Sequence, residues 1–174
     1  MKIIDVQFNS INGGSFAISA AKKESFHTEN IEVINSILEE EKNIGLDKVN
    51  IHYDFSQRVS KHKEDLIQLI KKINSEGKKI FGYGASTKGN VLLQYCGLTS
   101  KDIPFIAEVN EEKFGCFTPG SKIPIISEKE AKSMNPDYFL VLPWHFKSNI
   151  LLREKDFINN GGKFIFPLPK ILII

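Results

Sequence analysis

Cysteine, methionine and tryptophan are nearly missing from this chain, which has two cysteines, two methionines and one tryptophan. Cys96 and Cys116 build no disulfide framework, and no metal-ligand spacing surrounds them. Reduced thiols fit a cytoplasmic protein, and Cys96 lies in an apolar helical run that reads as core. An excess of one charge is missing too. At a net charge of +2 the composition makes no case for nucleic acid, and the lysine pairs at 22–23, 71–72 and 78–79 read as solvated surface. No apolar run approaches a membrane span, and the opening MKIIDVQF is too short and too alternating for a signal peptide. Repeats and low-complexity tracts are absent. What remains is ordinary soluble composition, 41% hydrophobic and 25% charged, in a chain long enough for one domain with a buried core.

The order of patterns along the chain predicts an architecture. KIIDVQFN and FAISAAKK alternate like strands, and Asn12-Gly13 between them signals a hairpin with a tight primed turn. A domain that opens directly on a strand suggests part of a larger chain. Residues 28–41 carry Ile31, Ile34, Ile37 and Leu38 at helical spacing, and Gly45 ends that run. A second helix is predicted over 49–73, stopped by Ser-Glu-Gly at 75–77. His27, His52 and His62 are scattered there and read as surface or ordinary hydrogen-bonding residues.

Beyond Gly77, strands alternate with helices. KKIFGYG, IPFIAEVN, DYFLVLP and KFIFPLP read as four strands. Helices are expected over 88–96, from the capping box of Ser127 and Glu130, and across PWHFKSNILLREKDFINN. KFGCFTPGSKIP reads as a loop. The fold class is therefore α/β: a Rossmann-like three-layer body with a mostly parallel sheet, an N-terminal β-hairpin and two added helices. The expected division is a single domain with a hairpin over 1–27, a helical segment over 28–76 and the Rossmann-like body over 77–174.

FGYGASTKGN, residues 81–90, is where a strand passes into a helix. Ligands of parallel α/β sheets collect at such strand ends. Glycine permits a sharp turn and close approach, and the free N–H groups from Ser86 to Gly89 favour an anion. Lys88 adds a charge, and Ser86 and Thr87 add hydroxyls. The spacing is not that of a Walker loop, and Gly89 stands five residues after Gly84 where the dinucleotide fingerprint wants three. Glu108, 24 residues after Gly84, is placed to accept ribose hydroxyls. Two readings stay open: a nucleotide cradle, or a turn with a solvated lysine.

Several spaced motifs carry a resemblance. FGYGASTKGNVLLQYCGL, FIAEVNEEKFGCFTPGSKIPI, PDYFLVLPWHF and GGKFIFPLP stand in the order found in one family, and NGGSF is similar to its Gly-Gly-Ser hairpin. The chain resembles, over nearly its whole length, the C-terminal domain of S-adenosylmethionine-dependent sugar C-methyltransferases. The resemblance implies a nucleotide-diphosphate sugar as ligand and carbohydrate biosynthesis as the setting. It also implies an upstream domain that holds S-adenosylmethionine, which this chain would not bind. The substrate implied is a keto-deoxysugar, whose enolate attacks the sulfonium methyl. A histidine before Gly-Gly-Ser serves as base in the family, whereas this sequence has Asn12, an amide that cannot abstract the proton. No catalytic residue is assigned, and no metal is expected.

The candidate substrate contacts are Asn12, Tyr83, Gly84, Ser86, Lys88, Gly89, Glu108, Asn110, Trp144 and His145, with Lys113 beside them. Each has a plainer reading: Asn12-Gly13 as a hairpin turn, Lys88 as an exposed helix residue, Trp144 as packing, Glu108 and Asn110 as a strand end. Two other functions compete. An NAD-dependent oxidoreductase is disfavoured by the misplaced third glycine and the lack of a Tyr-x-x-x-Lys pair. A non-catalytic assembly module would use the 28–75 helices to form a homodimer.

Overall fold

The structure, a computed structural model, describes residues 1–174 and falls into two compact units, Met1–Val59 and Ser60–Ile174. The division lies inside a helix. It coincides with neither edge of the helical segment expected from composition.

In the first unit, β1 (Lys2–Asn9) pairs antiparallel with β2 (Ser15–Ala21), with Val6 opposite Ile18 and Phe8 opposite Phe16. The hairpin is as expected, but its tight two-residue turn is not. Residues 10–14 form a wider connection with a 3-10 turn over Ile11–Gly13, and Asn12 takes a left-handed φ of 54°. Asparagine tolerates that region better than most side chains, so Asn-Gly serves the bend in either geometry. Helix α1 (Ile31–Ile44) ends at Gly45, whose left-handed backbone donates its N–H to the carbonyls of Glu41 and Lys42. Asn30, just ahead of α1, donates its N–H to the Ile4 carbonyl at 2.7 Å and its side-chain amide to Asp5 at 3.1 Å.

Helix α2 (Val49–Ser75) crosses the division, and in its second half Leu66, Ile70 and Ile73 are buried at helical spacing. The second unit is a six-stranded sheet: β3 (Ile80–Tyr83), β4 (Ile106–Glu108), β5 (Ile125–Ser127), β6 (Tyr138–Val141), β7 (Lys163–Phe166) and β8 (Leu172–Ile173). Their order is β5-β4-β3-β6-β7-β8, parallel except for β8, which runs antiparallel to β7. Helices α3 (Thr87–Tyr95), α4 (Glu128–Ser133), α5 (Lys147–Arg153) and α6 (Lys155–Asn159) complete it.

Successive strand residues point to opposite faces. Ile80, Ile106, Leu140 and Ile165 pack in one layer with Ile70 of α2 and with Leu92 and Leu93 of α3. Phe81, Tyr83, Phe139, Val141 and Phe164 form the other layer with Ala131 of α4 and Ile150 of α5. Both faces are covered, as a parallel sheet requires. The expected Rossmann-like three-layer body is what the chain forms.

Two differences concern short elements. β5 follows directly on the expected loop over 113–124, in residues given no element, because it is squeezed between Ile-Pro and the Ser127 helix cap. The helix predicted across residues 143–160 is broken into a 3-10 turn over Trp144–Phe146, then α5, then α6, with Glu154 at φ −102° between the last two.

Candidate functional site

From β3 the chain goes outward to β4 and β5, then crosses back to β6 and β7. The order therefore reverses between β3 and β6, and at such a switch point the strand ends open a crevice. Gly84 shapes it. Its φ is 79°, and a Cβ there would sit 2.8 Å from the Pro143 ring, so no other residue fits this turn unstrained. Ser86 caps α3 by accepting the Gly89 N–H at 3.0 Å.

A cleft of about 460 Å³ lies here. One wall is residues 84–87, the end of β4 and Lys113; the other is Glu128 with Phe146, Asn149, Ile150 and Arg153. Those last four recur at i, i+3, i+4 and i+7, so they share one face of the α5 region.

On the first wall, Glu108 is nearly enclosed, at 7% exposure. Its Oε1 accepts the N–H groups of Val109 (2.8 Å) and Asn110 (3.1 Å); its Oε2 accepts the Ala85 N–H (2.9 Å) and Lys113 Nζ (3.1 Å). Burial alone would raise its pKa, but these donors outweigh burial and hold the carboxyl below its ordinary value. Lys113 also donates to the Ala85 carbonyl at 2.9 Å. Glu108 and Lys113 thus tie the glycine turn to β4.

The second wall is a network. The Tyr83 hydroxyl donates to Glu154 Oε1 at 2.8 Å, and Arg153 Nε donates to the same oxygen at 2.9 Å. Arg153 Nη2 donates to the Tyr83 hydroxyl and, at 2.5 Å, to Glu128 Oε2. Lys132 bridges Glu128 Oε1 (2.7 Å) and Glu154 Oε2 (2.5 Å). Glu154 is only 3% exposed, and its bonds to Lys132, Tyr83 and Arg153 overcome burial to depress its pKa. Burial first, then the bond to Glu154, drives the Tyr83 pKa far upward, so the phenol stays protonated.

Of the sequence-predicted contacts, Tyr83, Gly84, Ser86 and Glu108 line this cleft, as does Lys113. Lys88, Gly89, Asn110, Trp144 and His145 do not. Lys88 is exposed in the first turn of α3, close enough to His145 to lower the imidazole pKa as a second influence after burial. A Cβ on Gly89 would lie 2.4 Å from Leu142 Cβ, so this glycine lets α3 lie on the sheet. Asn110 accepts the Glu112 N–H and caps a short 3-10 turn. Trp144 is half-buried against both core layers, and the rings of His145 and Phe146 lie 4.3 Å apart between centroids. Asn12 belongs to the hairpin turn of the first unit. Sequence reasoning missed Glu128, Phe146, Asn149 and Arg153, although the helical spacing in HFKSNILLR was there to be read. No cluster of His, Cys, Asp or Glu could hold a metal ion, and no helix is long and apolar enough to cross a membrane.

Residues 10–169 match a family described as C-methyltransferase C-terminal domain. Over 174 residues the chain is 34% identical to the C-methyltransferase NovU of Streptomyces niveus, covering all of this chain and 41% of that relative. The chain thus spans less than half the length of the curated relative it matches. A match over nearly the whole sequence, on a doubly wound sheet with a cleft at its switch point, makes this chain a member of the C-methyltransferase C-terminal domain family.

Proposed function

We propose that this domain holds a nucleotide-linked sugar in the cleft beside Gly84 and presents it to a separate domain that carries the methyl donor. The observation that carries this reading is the cleft's position at the switch point of a parallel sheet, in a domain of a C-methyltransferase family. Its size suits a ring and its phosphates. The ligand of this reading is a nucleotide-diphosphate keto-deoxysugar, in carbohydrate biosynthesis in the cytoplasm.

The family implies a methyl donor of the S-adenosylmethionine type, and the residues of this cleft do not fit it. Doubly wound sheets that bind such a group hold its ribose diol with a free carboxylate at the end of the strand after the glycine turn, and Glu108 at the end of β4 already accepts four hydrogen bonds. The same saturation counts against NAD. On this reading the donor is bound by the part of the enzyme that precedes this domain, and the chain by itself transfers no methyl group. Asn12, an amide, abstracts no proton, and on this reading the proton is taken by a group outside this chain's cleft.

The test is a residue-resolved NMR titration of this chain with dTDP, GDP, CDP, NAD and S-adenosylmethionine. A nucleoside diphosphate is expected to shift Gly84 to Thr87 and α5, with the other two silent. Binding of S-adenosylmethionine or NAD at Gly84 overturns the reading.

A further inference from the structure

We propose that Arg153 is the anion receptor of the cleft, and that the Glu128 carboxylate occupies its place until a ligand phosphate displaces it. This rests on the cleft being the ligand site.

The argument begins with charge. Glu108, Glu128 and Glu154 are each ion-paired with Lys113, Lys132 or Arg153, so the cleft and the network behind it are electrically balanced. No surplus cation awaits a diphosphate. An incoming anion therefore exchanges with a resident carboxylate, and the question is which one can leave.

Glu108 cannot leave without loss. It is held by three backbone N–H groups and Lys113, its side chain is 8% exposed, and the glycine turn hangs on it. Glu154 sits behind the wall, 3% exposed, and does not line the cleft. Glu128 differs on both counts. It lines the cleft, and its Oε1 keeps Lys132 when its Oε2 gives up Arg153. The exchange leaves no bare carboxylate in the interior.

Arg153 is equally prepared. Its side chain is half exposed, while Nε on Glu154 fixes the plane of the guanidinium. Nη1 takes part in none of these bonds. A phosphate at the position of Glu128 Oε2 can thus meet both terminal nitrogens end on, a geometry that a guanidinium offers and an ammonium does not. Lys113, by contrast, gives two of its three donors to Glu108 and the Ala85 carbonyl, and drawing it away would strip the buried Glu108 of its counter-charge.

The test is calorimetric titration of this chain and its variants with inorganic pyrophosphate and with dTDP. Charge-assisted hydrogen bonds of this kind are worth roughly ten- to hundredfold in affinity, so Arg153→Met is expected to weaken both probes by that factor. Arg153→Lys recovers part of the loss. Glu128→Gln is expected to tighten both probes by about two- to fivefold, because the competitor is gone. Lys88→Met leaves both unchanged. A folded Arg153→Met that binds like the parent, or a Glu128→Gln that binds more weakly, overturns the proposal, as does a parent chain that binds neither probe. If pyrophosphate binds through Arg153 and dTDP binds no better, the receptor stands and the nucleotide-sugar reading fails.

Discussion

The two units of this chain differ in how they hold together. Among residues 1–59 only Gly45 is buried, and Phe8, Phe16 and Ile18 are 68%, 64% and 52% exposed. In the second unit Phe139, Phe164 and Leu140 are fully buried and both sheet faces are covered. The first unit rests on a backbone ladder and helix ends; the second rests on apolar burial. The hairpin has one helix, α1, against β1, and it only half-buries Ile4, Val6, Ile34 and Ile37, so little apolar burial supports the ladder. Truncation inside the sheet should therefore have the largest effect. Phe164 lies between the rings of Tyr83 (5.3 Å) and Phe157 (5.2 Å), and Phe164→Ala is expected to cost about 3–5 kcal/mol in urea unfolding. A loss below about 1 kcal/mol would break the contrast.

The next effect tests whether the polar wall shares in that rigidity. Glu154 breaks the helix predicted across 143–160, and its carboxylate joins Tyr83, Lys132 and Arg153. Removing it with Glu154→Ala leaves the buried Tyr83 phenol without its acceptor and takes one of two carboxylates from Lys132 and Arg153, which keep Glu128, for a loss of about 1–3 kcal/mol. The pH dependence has a definite sign. The folded pKa of Glu154 lies below its unfolded value of 4.5, so its contribution is complete above pH 4.5 and disappears as pH falls through the folded value. The parent should lose stability in that acidic range, and Glu154→Ala should lose less of it. Parallel pH profiles for the two proteins would show that the network stabilises nothing.

How much of this is legible in the sequence follows the same division. Apolar patterning locates α1, α2, α3, the hairpin and four strands of the second unit, β3, β4, β6 and β7, because each lies in a segment with enough apolar residues to show, as IPFIAEVN does around the three residues of β4. β8 has only two residues, and β5 is squeezed between a Pro-Gly loop and the Ser127 helix cap, so neither stands in an apolar segment of its own. The glycine turn is legible as a bend at a strand end. The place of its lysine is not: Lys88 precedes the residue that faces the sheet, Gly89, and the cleft lies on the other side, towards α5. Glu108 stands at the expected strand end, yet its carboxylate is spent on four internal donors, which come from residues whose meeting only the fold reveals.

Gly89 gives a smaller effect that sharpens the contrast. Its missing Cβ admits Leu142 to 2.4 Å of where that atom would be, so Gly89→Ala must push α3 off the sheet. Overpacking of this kind costs about 1–3 kcal/mol, even though alanine favours a helix. A neutral or stabilised Gly89→Ala would mean that α3 rides loosely on the sheet, and that the second unit is less tightly packed than its buried residues imply.

The smallest effect is expected in the hairpin. Phe16 lies opposite Phe8, with ring centroids 6.4 Å apart, and both remain mostly exposed. Phe16→Ala removes a cross-strand pair worth about 0.2–1 kcal/mol and little burial, so urea unfolding of the second unit should be unchanged within about 0.5 kcal/mol. Hydrogen exchange reads the hairpin itself. Amides of β1 and β2 should exchange far faster than those of β3 and β6, since opening the hairpin exposes only half-buried side chains such as Ile4 and Val6 rather than a closed core. Phe16→Ala should speed them slightly more. If the β1 and β2 amides were instead as protected as β3, the Phe8 and Phe16 face would have to be covered in solution, and the weakness of the first unit would belong to the lone chain only.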